Sequence, residues 1–132
     1  MVKTITTGFF EKGLIPPYNR RLSSEFIEAV LEDAEDSGAY CIPTIHQLDV
    51  ALGRCIAEGD LDLRITGIWK EQCTAMGTGQ ALAQGFNVIV PDHLTHPLVK
   101  SYVPFEDMVR YHMGHIKWDY QFDGENHLFV PK

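Results

Sequence analysis

Residues 60–69 read DLDLRITGIW, and residues 86–91 read FNVIVP. In the first stretch Leu61, Leu63, Ile65, Gly67 and Trp69 fall on one side of an extended chain, with Asp62, Arg64 and Thr66 on the other. A period of two over this length predicts a strand with one buried face and one wet face. The second stretch, preceded by Gly85, is a continuous apolar run and predicts a buried strand. Further on, Ile116, Trp118, Tyr120 and Phe122 alternate with Lys117, Asp119 and Gln121. Asp123 and Gly124 then turn the chain, and His127, Leu128, Phe129 and Val130 return as a hairpin partner. Together these strands predict a mainly antiparallel sheet with a C-terminal β-hairpin.

Two helices precede the sheet. Phe26, Ile27, Val30, Leu31 and Ala34 recur at helical spacing, with Ser24 as the expected N-cap, Gly38 as the stop, and Glu32, Asp33, Glu35 and Asp36 on the wet face. After Pro43, Thr44 and Gln47 form a capping box for a helix whose stripe is Ile45, Leu48, Leu52, Cys55 and Ile56, closed by Gly59. A short helix follows Pro104, with Phe105, Met108, Val109 and His112 on one face and Gly114 at its end. Residues 72–85 fit either a short helix or an irregular strand. The expected fold is therefore α+β: two N-terminal helices packed on a mainly antiparallel sheet, plus one short helix and the hairpin.

Residues 1–22 read differently. MVKTITT could form a short strand, but Gly8, Gly13 and the Pro16–Pro17 pair argue against a compact element. They predict an extended arm carrying Ile5, Phe9, Phe10, Leu14, Ile15 and Tyr18, attached to a single α+β domain over residues 23–132. An arm this apolar must land on its own domain or on a neighbour.

Composition narrows the function classes. The 132 residues carry 11 Lys and Arg against 18 Asp and Glu, a formal charge of −7. That leaves no electrostatic footprint for nucleic acid or an anionic membrane. No apolar run reaches the roughly 18 residues of a membrane span. The N-terminus lacks the long apolar region of a classical secretion signal, so the expected location is cytoplasmic or within a virion. Cys41, Cys55 and Cys73 are odd in number and widely spaced, which indicates neither a disulfide framework nor a zinc knuckle.

Four candidate chemistries compete with ordinary packing. His93 and His96, then His112 and His115, stand at i, i+3 spacing with Asp92, Asp107 and Asp119 nearby, as a zinc or other divalent-metal site would require. Gly114 interrupts the second pair, His112 continues an apolar stripe, and no HExxH pattern exists, so packing is the expected role. Gly77-Thr78-Gly79 could approach a phosphate, but no lysine accompanies it and a tight turn explains it. Cys73 with His93 or His112 could form a nucleophile–base pair, although nothing in the spacing brings them together. The acidic run of the first helix reads as a solvated face.

These observations point first to a non-enzymatic, oligomerising protein without a cofactor. It would act through protein–protein contacts made by Phe9, Phe10, Leu14, Ile15 and Tyr18, with homo-oligomers or other subunits as partners, as in a structural or assembly subunit of a virus particle or head–tail junction. A metal-dependent hydrolase built on the histidines is the alternative. A small-ligand or inhibitor-type binding module with Trp69, Trp118 and Tyr120 as a pocket wall is the third.

Overall fold

The computed structural model describes residues 2–10, 13–14 and 22–132. Its strands are β1 (Val2–Thr7), β2 (Phe9–Phe10), β3 (Gly13–Leu14), β4 (Tyr40–Ile42), β5 (Asp62–Ile68), β6 (Asn87–Pro91), β7 (Thr95–His96), β8 (Trp118–Phe122) and β9 (Asn126–Pro131). Its helices are α1 (Ser24–Ser37), α2 (Leu48–Ala57), α3 (Ala75–Ala83) and α4 (Phe105–Met113). Seven strands form one sheet in the order β4-β1-β5-β6-β9-β8, with β7 also paired to β5, and β2 and β3 form a separate pair.

The sheet is mixed, not mainly antiparallel. β4, β1, β5 and β6 run parallel, and only β9 and β8 add antiparallel pairs. The alternation in β5 is present, but its polar side is not open to water. Arg64 donates to both carboxylate oxygens of Asp33 on α1, at 3.0 and 3.1 Å, and to the Thr4 hydroxyl at 3.0 Å. Thr66 bonds Thr6 at 2.9 Å, and both are fully buried. The second face of β5 is thus covered by α1, with its polar groups paired as burial demands.

Helices lie on both faces of the sheet. Ile5, Leu63, Ile65, Val88 and Val90 pack with Leu48 and Leu52 of α2, Ala81 and Leu82 of α3, and Phe105 and Val109 of α4. Ile68 and Trp69 pack instead with Val30, Phe26 and Ile27 of α1 and with Phe9. The winding explains this division. The chain goes from β1 outward to β4, then back across β1 to β5 and on to β6. Right-handed crossovers place the connecting helix on opposite faces when the direction reverses. The two N-terminal helices therefore sit on opposite sides of the sheet.

The segment expected to be an arm contributes an interior strand. β1 lies between β4 and β5, pairing Val2 to Thr7 with Asp62 to Gly67 in parallel register. Ile5 and Phe9 are both wholly buried in the chain's own clusters. Phe10 and Leu14 lie on β2 and β3; Ile15 and Tyr18 fall outside the described residues. Smaller differences follow the same local chemistry. The α1 N-cap is Ser23, whose hydroxyl accepts from the Phe26 N–H at 3.1 Å. The Thr44–Gln47 box opens a 3-10 turn, Ile45–Gln47, that runs straight into α2. Ile56, expected in the buried stripe, is 55% exposed. Among the described residues no helix is long and apolar enough to cross a membrane.

Candidate functional site

The parallel strands end on one edge of the sheet, and that edge collects the chain's least routine polar groups. Beneath it lies a set of threonine hydroxyls from separate elements. Thr7 at the end of β1 reaches the carbonyls of Thr66 and Ile68 at 3.0 and 3.2 Å. Thr74, in the turn Lys70–Thr74 before α3, meets Thr7 and Thr95 at 3.3 Å each. Thr78 donates back to the Thr74 carbonyl at 2.8 Å. All are buried. These groups satisfy one another and hold the ends of β1, β5 and β7 and the start of α3 in one fixed arrangement.

Above that floor, the turn after β5 and the turn after β6 meet through charge. Lys70 Nζ donates to Asp92 Oδ1 at 2.8 Å. His127 Nε2 donates to the same oxygen at 2.8 Å, and His127 Nδ1 shares a hydrogen bond of 2.8 Å with the Tyr120 hydroxyl. The carboxylate can only accept, so His127 Nε2 carries a proton and donates it to Asp92. Phe122 stacks on the His127 ring at 4.7 Å and Phe105 lies 4.9 Å away, so the imidazole has little freedom. His127 comes from the returning strand of the hairpin and was not singled out by its spacing; it becomes central because β9 pairs with β6.

The titration of this chain of groups follows from its surroundings. Burial pushes the Asp92 carboxyl up, but the bonds from Lys70 and His127 outweigh it and hold the group below its ordinary range. Burial and the charges of Glu106 and Asp92 raise the Tyr120 phenol, which therefore stays protonated at neutral pH. A folded-state value below the unfolded one of about 3.9 means that ionised Asp92 stabilises the fold above that pH. That contribution is lost as pH falls through the folded value. The melting-temperature gap between the parent protein and Asp92→Asn is therefore expected to be widest near pH 6 and to close below about pH 4. A gap that stays constant from pH 6 to pH 3 would contradict this account.

The four histidines named from sequence do not converge. His93 is exposed in the turn after β6. His96 on β7 is exposed, donates from Nδ1 to the Pro97 carbonyl at 2.8 Å and meets Phe26 and Trp69 edge-on. His112 in α4 donates to the Glu71 carbonyl at 2.9 Å, and His115 is exposed beyond the helix. Among the described residues no three His, Cys, Asp or Glu side chains are grouped to hold a metal ion.

The other candidates also find local explanations. Residues 75–83 form α3, and a Cβ on Gly79 would stand 2.5 Å from Met113 Cγ. That glycine lets α3 and α4 approach closely, and neither it nor Gly77 lies in an open loop facing a phosphate. Burial pushes the half-buried Cys73 thiol up despite the opposing backbone N–H groups of Ile45 and Cys73 itself, so a thiolate is disfavoured. In the acidic run, Asp33 is the partner of Arg64. Trp69 belongs to the α1-side cluster, while Trp118 and Tyr120 belong to the other, so the three do not share one wall. No family model, curated protein or solved structure matches this chain.

Proposed function

We propose that the protein binds a small polar molecule at the carboxyl ends of β1 and β5. One observation carries this reading: the winding reverses between those two strands, so the connections leaving them diverge on either side of the sheet. In open α/β sheets such a reversal leaves a crevice at the carboxyl ends, and ligands bind there. The groups on hand are the Lys70 ammonium and the exposed Gln72 amide in the turn after β5, with Asp92 bonded to Lys70 and the exposed His93 next to it in the chain. The buried threonine floor keeps the strand ends from shifting, which lowers the ordering cost of binding.

The test is a thermal-shift screen over nucleotides, sugar phosphates and amino acids. A true ligand at a hundredfold excess over its Kd raises the melting temperature by roughly 10 °C. Gln72→Ala and Lys70→Ala are expected to reduce that shift. Leu61→Ser, at the amino end of β5, should leave it unchanged. The reading fails if no compound shifts the transition, or if the shift ignores Lys70 and Gln72.

A further inference from the structure

The loop over residues 97–104 and helix α4 border an open depression of about 380 Å³. Glu71, Val99, Val103, Asp107, Met108 and Tyr111 line it. We propose that this depression binds a small organic cation, an amine carried on an apolar body. The volume lies at the small end of the range for ligand pockets, roughly 300–1,000 Å³. Apart from Ser101 the uncharged walls are mainly apolar, both charged lining groups are carboxylates, and among the described residues no Lys, Arg or His side chain lines the depression. A ligand that buries its hydrocarbon against Val99, Val103 and Met108 and points an ammonium at Glu71 and Asp107 satisfies both features.

One of those carboxylates is already fixed in place. Glu71 Oε1 accepts from the Leu98 N–H at 2.8 Å, and Oε2 from the Val99 N–H at 3.1 Å. The His112 bond to the Glu71 carbonyl holds the backbone beneath it. Each carboxylate oxygen keeps acceptor capacity after one hydrogen bond, so Glu71 can meet an ammonium without releasing the loop. Tyr111 is 86% exposed and offers a ring for cation–π contact. Neither Glu71 nor Asp107 forms a salt bridge among the described residues, so both charges are available to a bound ammonium. This site shares no residue with the carboxyl-end reading and does not depend on it.

The experiment is an amide NMR titration with phenethylamine, repeated with 2-phenylethanol and 3-phenylpropionate. An amine of this size should half-saturate at about 1 mM, with shifts centred on Leu98, Val99 and Tyr111. The neutral alcohol and the anion should each bind at least about fivefold more weakly, the factor expected for one contact between exposed charges. Asp107→Asn, on the exposed face of α4, should weaken the amine about fivefold while leaving the fold intact. Equal affinity for amine and alcohol, or no saturable shift at these amides, would overturn the proposal. So would sedimentation showing an oligomer that Tyr111→Ser dissociates, which would assign the depression to a second copy of the chain.

Discussion

Gly67→Ala is expected to cost more than about 3 kcal/mol, a large part of the stability of a domain this size. A Cβ at Gly67 would lie 2.0 Å from the Thr7 carbonyl oxygen and 2.8 Å from the Thr7 nitrogen. Those are backbone atoms of the neighbouring parallel strand, so relief requires prying β1 from β5. The φ of +104° adds strain of its own. Gly85→Ala is the proper comparison. Its φ is +92°, but a Cβ there meets nothing within 4 Å among the described residues. It should cost only the strain of the left-handed backbone, about 1–2 kcal/mol. Urea unfolding of the two variants separates these effects, and equal midpoints would show that the close approach of β1 to β5 is not present in solution.

Phe9→Ala is expected to destabilise the fold by about 3–5 kcal/mol while leaving the mass measured by light scattering unchanged. The side chain is 0% exposed and packs with Leu22, Val30, Ile68, Trp69 and Leu94, so truncation leaves a cavity between α1 and the sheet. This variant discriminates between two uses of an apolar N-terminal segment. A residue docked on a sister copy would lose assembly and keep monomer stability. A residue that closes its own core would do the reverse. Loss of assembly at unchanged stability would support the contact role expected from the sequence.

The difference between those expectations has a specific source. MVKTITT has the composition of a short strand, but the glycines and prolines after it give the segment the pattern of a detached arm. Nothing local reveals that Thr4, Thr6 and Thr7 have partners on β5, sixty residues away in the chain. Arg64 and Thr66 misled in the same way. Polar residues at alternate positions normally face water, and here they face Asp33 and Thr6. A covered polar face and a wet one share the same alternation, so the pattern located the strand without reporting its neighbours. The candidate sites fared similarly. Histidine spacing drew attention to His93, His96, His112 and His115, whereas the imidazole held in a network is His127, joined to Asp92 across 35 positions of chain.

The amino-acid sequence by itself determined the short-range features: the stripes of α1 and α4, the stripe of α2 apart from Ile56, the capping box at Thr44, the strands at 62–68 and 87–91, and the hairpin turning at Asp123 and Gly124. Each depends on side chains within a few positions of one another, where periodicity and turn chemistry act directly. Strand order, parallel pairing and the meeting of Lys70, Asp92, His127 and Tyr120 were decided only by the tertiary structure. Those contacts join residues whose separation along the chain carries no periodic signal, and packing both faces of one sheet is what brings them together.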